Sequence, residues 1–364
     1  MKSRHFRWQP MLLLLPFALM SATEPVFAQS AGSVAEILKA RIDAAVLALG
    51  SNPRFKGLSL KYRQELAEFV SGNMLFVLLH ELAHAVVTEM GIPVLGKDED
   101  AADSFAATRL LSLGDGFSDQ VVANSAKGWF MADRRDKKEG DTVPYYDAHG
   151  LDLQRAYQFV CFLVGSNKDK FKNLASETKL PEDRQDSCEV DYRKAVNAWD
   201  LVLKPHRRAP DQPKTKIDVV YGDGKGKLEA VAQIARAIRL LEPVAEVTAN
   251  LTAWPAPFTL EMQSCGFINA AWVPSTRKLT LCYELAADFA ELYRAYGTAR
   301  ADSRKRKSKL SLDLKRCGPN ERPDTRGAVV RLSPKASING ASGLAPVPAR
   351  AWPAVVEARR PRAI

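Results

Sequence analysis

The stretch Phe76–Val87, "FVLLHELAHAVV", is the most informative part of the chain, because it contains the motif H-E-L-A-H. His80 and His84 are four residues apart, so on a helix both imidazoles lie on one face, one turn from each other. Their ring nitrogens can then reach a single ion at the roughly 2.0–2.1 Å that zinc requires. Glu81 lies beside them, where it can take a proton from a zinc-bound water.

The apolar surroundings of the motif favour a metal site over a chance pair of histidines. The motif alone has known false positives. The helix around it is rich in leucine, valine and phenylalanine, and two histidines and a glutamate would be costly to bury there without partners or a metal. We therefore predict a helix from about Lys61 to Met90, ended by Gly91, that carries a Zn²⁺ site.

A catalytic zinc site needs a third protein ligand and leaves the fourth position for water. We predict Glu99 as that ligand, because a second helix, from Glu99 to Leu113 with Asp98 as N-cap, returns after the short loop "GIPVLG". Asp103, one turn further on, is expected to hydrogen-bond the far nitrogen of a ligand histidine. Asp98 and Asp100 remain alternative ligands. The acidic residues could also simply favour the helix N-terminus.

These two motifs together carry a resemblance to known enzymes. H-E-x-x-H followed by E-x-x-x-D resembles the gluzincin metallopeptidases. More closely, three segments resemble a bacterial metallopeptidase family of unknown function: "FVLLHELAHAVV…GIPVLGKDEDAADSFA", "DAHGLDLQRAYQFVC" and "CGFINAAW…LTLCYEL". The resemblance extends over most of residues 60–299. It implies zinc binding and peptide hydrolysis, and it does not indicate the substrate.

The gluzincin resemblance implies a further role for a histidine in "VPYYDAHGLD". Gluzincins use a histidine, often with a tyrosine, to stabilise the oxyanion of the tetrahedral intermediate. His149 is the expected residue, and Asp147 or Asp152 would orient it. Tyr145 and Tyr146 are nearby. His149 could instead be a structural loop residue, or a zinc ligand in place of Glu99. Arg155 is expected to form a structural salt bridge with these acids.

The same resemblance implies that Asn269 and Ala270 bind substrate. Gluzincins have an edge strand with an Asn-Ala pair that binds the substrate backbone by adding it as a further strand. In gluzincins this strand precedes the zinc helix, whereas here "INAAW" follows it by about 190 residues. We therefore expect a permuted order, with a late hairpin folded back beside the zinc helix. The alternative is an ordinary hairpin held by a disulfide.

The pattern along the chain predicts a helix-rich α+β fold with zincin-like active-site helices and a small late sheet. Short β-type runs and the turn "VPSTRK" indicate the hairpin. The predicted parts are a signal peptide (1–28), a helical zinc-binding part (29–203), a linker or surface excursion (204–227), an α/β part packed on the zinc part (228–299) and a basic, disordered tail (300–364).

The N-terminus and the cysteines both indicate export. Residues 1–28 combine basic residues, a short apolar run and "VFA", as in a cleaved signal peptide. The sequence does not separate the periplasm from the medium. Among the five cysteines, pairing of Cys161 with Cys188 and of Cys265 with Cys282 is the simplest choice. The alternative is that they are small buried hydrophobic residues. Cys317 lies in the tail.

The net charge of +10 does not indicate a nucleic-acid partner, because it is concentrated at one end of the chain. Residues 300–364 contain 16 lysines and arginines against 5 acidic residues. The rest of the mature chain is therefore mildly acidic. The tail can contact anionic envelope surfaces, but a solvated tail is the simpler expectation.

The sequence thus predicts an exported zinc metallopeptidase that acts on peptides or proteins, with a zinc-bound water activated by Glu81. One alternative is a non-catalytic metal-binding protein that presents a gluzincin-like groove to a partner chain. A second is an envelope-binding protein that acts through its tail.

Overall fold

A computed structural model describes residues 26–50, 57–143 and 145–295, with only the backbone described for residues 26–33. Within this part the protein is helix-rich α+β with a small late sheet, which confirms the predicted fold class. The early helices are α1 (Val26–Leu49), α2 (Leu60–Met90), α3 (Asp98–Leu111), α4 (Gly116–Glu139), α5 (Asp152–Ser166), α6 (Lys168–Thr178) and α7 (Glu182–Leu203). The later elements are β1 (Ile217–Tyr221), α8 (Glu229–Ile238), α9 (Leu241–Leu251), β2 (Phe258–Gln263), β3 (Ala270–Val273), β4 (Lys278–Cys282) and α10, which covers 283–295.

Helix α2 is the central element of the fold. Its N-terminus is capped by Ser59, whose side chain accepts a hydrogen bond from the Tyr62 backbone N–H at 3.2 Å. It ends at Gly91, which has the left-handed φ of 60° that glycine adopts without a steric penalty. Among the described helices, α2 has the length and apolar composition to cross a membrane, but 67% of its most apolar window is buried inside the fold. It packs against α1, α3, α4 and the late hairpin, as a core helix does.

The sheet has the strand order β1-β2-β4-β3. Strands β1 and β2 are parallel and are connected through α8 and α9, and β2 is parallel to β4. The hairpin predicted from "VPSTRK" is present, with β3 antiparallel to β4 and Arg277 in the left-handed region at φ 52°. Strand β3 is therefore an edge strand, and it lies against α2.

One hydrophobic core joins the early helices to the late sheet. A single cluster of buried side chains includes Leu78 of α2, Phe159 of α5, Leu260 of β2 and Leu281 of β4. Two disulfides join the cysteine pairs that the sequence suggested. They are Cys161–Cys188 and Cys265–Cys282.

Several predicted boundaries differ from the structure. The segment 204–227, expected to be a linker or surface excursion, contains β1, which pairs with β2. The part predicted over 228–299 begins with two short helices, because Arg239 has a left-handed φ of 54° and ends α8 before α9 begins. The N-cap of α3 is Lys97, and Asp98 is the first helical residue. The predicted signal peptide lies outside the described residues except for its last three, which begin α1, and the tail 300–364 lies outside entirely.

Candidate metal centre

The two histidines of the motif lie on the buried side of α2. The Nε2 atoms of His80 and His84 are 3.2 Å apart, as expected for residues one helical turn apart that face the same point. His80 is 5% exposed, while His84 is half-buried.

Helix α3 returns along α2 and brings Glu99 to the same point. Glu99 Oε2 lies 3.0 Å from His80 Nε2 and 3.4 Å from His84 Nε2. The loop that begins at Gly91 makes this return possible. The structure therefore brings together the three side chains that the sequence singled out as zinc ligands.

A fourth donor comes from the loop between α4 and α5. His149 Nε2 is 2.9 Å from Glu99 Oε2, and the ligand atoms of His80, Glu99 and His149 all lie within 4.8 Å of one another. Lys97 holds this loop, because its Nζ donates to the backbone carbonyls of Asp147 and His149 at 3.3 and 3.1 Å. We refer to His80, His84, Glu99 and His149 as the ligand cage.

Each histidine of the cage has its other ring nitrogen against a carboxylate. This arrangement fixes the ring orientation and directs Nε2 towards the common point. The Nδ1 pairs are His80 with Asp103 (2.9 Å), His84 with Asp98 (2.8 Å) and His149 with Asp147 (3.1 Å). Asp103 lies against the far nitrogen of His80, where the sequence analysis expected it. Asp98, expected to be an N-cap or an alternative ligand, lies against Nδ1 of His84 instead.

The cage has the donor chemistry and spacing of a zinc site. Three imidazole nitrogens and one carboxylate oxygen are typical zinc ligands. In a tetrahedral zinc site two ligand atoms are about 3.3 Å apart, given bonds of roughly 2.0–2.1 Å. The three pairs among His80, His84 and Glu99 measure 3.2, 3.0 and 3.4 Å, so these three residues fit such an ion. His149 lies 2.9 Å from Glu99 on the same side of the cage.

The cage combines an acidic side chain that favours a cation with a histidine whose proton competes with it. Burial alone would raise the pKa of Glu99, but hydrogen bonds from His149, His80 and His84 hold it well below its usual range. Burial lowers the pKa of His80, yet its hydrogen bonds to Asp103 and Glu99 outweigh this and raise the pKa to about 9. Without a metal the cage thus holds protons between its donors, and a cation has to displace them on binding.

Glu81 is next to the cage and is not part of it. Its side chain is 9% exposed, and burial raises its pKa, although His80 and His84 oppose the shift. Its Oε2 accepts a hydrogen bond from the backbone N–H of Trp272 at 3.0 Å. This bond links a carboxylate of α2 directly to edge strand β3.

A cavity of about 550 Å³ joins the cage to β3. We refer to residues 268–272, which line one side of it, as the strand wall. Asn269 and Ala270, predicted to bind substrate, belong to this wall, and His80, Glu81, His84, Glu99 and His149 line the same cavity. The predicted site residues are therefore brought together across a separation of 191 residues between Glu81 and Trp272.

Three other candidates from the sequence lie outside the cavity. Tyr145 and Tyr146 are 81% and 77% exposed and do not line the cavity, and Asp152 does not line it either. Arg155 lines the cavity and pairs with Asp103 through two hydrogen bonds of 2.7 and 2.8 Å.

Sequence reasoning missed an ion pair in the cavity. Arg135 of α4 and Asp288 of α10 both line it, and their side chains are 3.0 Å apart. The two residues are 153 positions apart, and neither belongs to a recognisable motif, so no local signal pointed to them.

The family comparison agrees with this geometry. A family model described as "Putative metallopeptidase" matches residues 49–203 and 224–312. The chain belongs to this family. The predicted resemblance is thereby confirmed, and the matched segments contain the ligand cage, Glu81 and the strand wall. No curated protein and no solved structure matches the chain.

Proposed function

We propose that this chain is an exported zinc-dependent metallopeptidase that hydrolyses peptide bonds in the cavity between the ligand cage and the strand wall. The observation that carries the proposal is the convergence of His80, His84 and Glu99 within 3.4 Å of one another, beside the buried Glu81. Membership of the metallopeptidase family supports it. The two disulfides are compatible with export to the periplasm or the medium.

His80, His84 and Glu99 would hold the ion. When bound, zinc supplies Lewis acidity that polarises the peptide carbonyl and lowers the pKa of water to about 7. Glu81 then acts as the general base that takes a proton from the attacking water and passes it to the leaving amine. Its position suits this role, because the buried Glu81 lies next to His80 and beside the ligands without being one of them.

The strand wall would bind the substrate backbone. The Asn269 carbonyl accepts a hydrogen bond from the Cys282 N–H at 3.1 Å, so this peptide group faces β4. Since successive residues of a strand point their backbone groups to opposite sides, Ala270 directs its N–H and C=O towards the cavity. A substrate could pair with Ala270 as an added strand, with the Asn269 side chain beside it.

Replacing Glu81 by Gln tests the proposal. Glu81→Gln removes the base and leaves the ligands in place, so peptide hydrolysis should fall by roughly 10²–10⁴-fold while bound zinc stays at the wild-type level. Glu65→Gln, an exposed position on the same helix, is the matched control and should keep full activity. Unchanged turnover in Glu81→Gln would refute the assignment of Glu81.

One observation favours a second function, a metal-binding protein without catalysis. If His149 also binds the ion, four protein ligands close the coordination sphere, as in structural zinc sites. His149→Ala separates the two functions. If the protein is a peptidase in which His149 stabilises the oxyanion, the variant should keep its zinc and lose peptide hydrolysis. If the site is a closed structural site, the variant should lose zinc affinity, and the wild type itself should not hydrolyse peptides. Metal content and peptide hydrolysis are measured on the same preparation.

A further inference from the structure

The cavity follows one face of α2 and extends past the ligand cage in both directions. The α2 residues that line it are three or four positions apart, so they form one stripe along the helix. This stripe includes Asn73, Val77, His80, His84 and Thr88. An α-helix rises by about 22 Å between positions 73 and 88, and His80 lies near the middle of that distance. The cavity is therefore a groove with the cage near its centre, rather than a pocket that begins at the cage.

Strand β3 lies beside this stripe and runs in the same direction as α2. The N–H of Trp272 donates to Glu81 Oε2 at 3.0 Å. Further along both elements, Arg277 in the β3–β4 turn forms an ion pair with Glu89. The cavity lining on the strand side extends from position 268 to position 274. The edge of the sheet therefore borders the groove on both sides of Glu81, as the helix does.

The length of the groove fits an extended peptide that passes the cage. An extended strand covers about 3.3 Å per residue, so about 22 Å accommodates six or seven residues. With the cage near the middle, about three of them would lie on each side of the bond that is cut. An enzyme that removes terminal residues needs such space on only one side of the cage.

Charged side chains that line the groove are already compensated within the protein. Arg135 pairs with Asp288 at 3.0 Å. The Asp98 carboxylate lies 2.8 Å from Nδ1 of His84. A site for a chain terminus needs an opposite charge to balance the terminal ammonium or carboxylate group. These pairs leave the groove suited to the uncharged backbone of an interior segment.

We propose that the protein is an endopeptidase that cleaves within an extended stretch of polypeptide, with about three residues bound on each side of the scissile bond. This inference rests on the proposed peptidase function and specifies its substrate. The bound stretch pairs with the edge of β3 and lies along the stripe of α2, so the termini of the substrate do not contribute to binding. Folded proteins would be cut in exposed loops or unfolded segments, because the substrate has to be extended to enter the groove.

Peptides with blocked ends test this assignment on the full-length mature protein with its zinc. All peptides have one sequence that is longer than the groove. One has free termini, a second is N-acetylated, a third is a C-terminal amide, and a fourth carries both modifications. Wild-type protein should cut all four at the same interior bond, with kcat/KM values within about twofold of one another. An enzyme that binds a terminus should lose roughly tenfold or more when that terminus is blocked. Mass spectrometry of the products identifies the bond.

Shortening the doubly blocked peptide measures how far the groove is used. Each residue removed within about three positions of the cut should lower kcat/KM roughly two- to tenfold, on either side of the bond. Residues further out should have no effect, because they lie beyond the groove.

Two variants each fill one half of the groove. Thr88→Trp adds bulk beyond His84, and Ile268→Trp adds bulk on the other side of Glu81. Each should lower kcat/KM for long peptides roughly tenfold and keep the wild-type zinc content, and its effect should disappear when the peptide is shortened on the filled side. Lys138→Trp, at an exposed position of α4 outside the cavity, is the matched control and should change neither activity nor zinc content.

Binding measurements separate this inference from the proposed catalysis. The Glu81→Gln protein should bind doubly blocked and free peptides with equal affinity in calorimetry, and adding Thr88→Trp or Ile268→Trp should weaken binding of the long peptides. If the wild type hydrolyses nothing, the peptidase proposal fails, and this comparison still decides whether the groove binds an interior segment. Failure of blocked peptides to bind, cleavage that requires a free terminus, or a length dependence on only one side of the bond would overturn the inference.

Discussion

The ligand cage and the strand wall face each other across one cavity, yet the chain builds them differently. Most of the cage comes from two consecutive helices, and His80 to Glu99 span only 20 residues. Trp272 of the strand wall follows Glu81 by 191 residues, and the two meet only in the folded chain. Hydrogen bonds between charged groups orient the residues of the cage. The strand wall is positioned by the pairing of β3 with β4, by the Cys265–Cys282 disulfide and by the ion pair between Arg277 and Glu89 of α2.

This difference leads to separable defects. Replacing a buried residue that contacts a histidine of the cage should weaken metal binding and lower stability together. Replacing a residue that positions the strand wall should weaken substrate binding and leave the metal content unchanged.

Asp103→Asn should have the largest effect. Asp103 is 1% exposed and neutralises the buried Arg155 while it orients His80. Removing its charge leaves Arg155 uncompensated, so the free energy of unfolding should fall by about 3–5 kcal/mol, and zinc affinity by roughly 10–100-fold. Urea unfolding and a competitive zinc titration measure the two losses.

The control for this prediction is Asp100→Asn, an exposed acid on the same helix. It should leave both stability and zinc affinity unchanged. Equal behaviour of Asp100→Asn and Asp103→Asn would show that Asp103 does not support the cage.

Arg277→Gln should damage the wall and spare the cage. Arg277, in the β3–β4 turn, forms an ion pair with Glu89 of α2 and donates to the carbonyls of Ala256 and Pro257 at 2.8 Å. Losing these bonds should reduce stability by about 1–3 kcal/mol and raise KM for peptides, while zinc content stays at the wild-type level. Arg277→Lys keeps the charge, so its KM should lie between those of Arg277→Gln and the wild type. Loss of zinc from Arg277→Gln would contradict the separation of the two regions.

Asp152→Asn should have the smallest effect. Asp152 is the first residue of α5 and does not line the cavity. Burial raises the pKa of Asp152 to about 6, and repulsion by Asp136 adds to the shift. Because the folded chain binds this proton more tightly than the unfolded chain, with its ordinary pKa near 3.9, stability should fall as pH rises from about 4 to 6. Asp152→Asn should remove this fall and stabilise the protein at pH 7 by about 1 kcal/mol. Chemical unfolding at pH 4 and pH 7 tests the sign, and a destabilised variant at pH 7 would contradict it.

The sequence predicted the cage better than the wall for a physical reason. The 3.6-residue period, the cap at Gly91 and the spacing of His80, His84 and Glu99 are local, and neighbouring helices leave few ways to place Glu99. The hairpin was predicted from its turn, and the gluzincin resemblance suggested where it would pack. The pairing of β1 with β2 was missed, because a strand in a segment rich in proline and charge is fixed by its partner rather than by its own pattern.

The orienting partners show the same limit. Asp98 has the local signature of a helix N-cap, but its carboxylate bonds His84, a tertiary contact that outweighs the local preference. Arg135 and Asp288 meet from helices 153 residues apart, and no spacing in the sequence relates them. Motifs therefore indicated which side chains converge, and only the fold showed what surrounds them.

Measuring the metal content of the purified mature protein tests whether the ligand cage binds a metal. The wild type is compared with His80→Ala and with a control, His206→Ala, which changes a histidine outside the cavity. Elemental analysis after dialysis should find about one zinc per chain in the wild type and in His206→Ala, and almost none in His80→Ala. Equal zinc in all three proteins, or none in the wild type after zinc is supplied, would contradict a metal centre at the ligand cage.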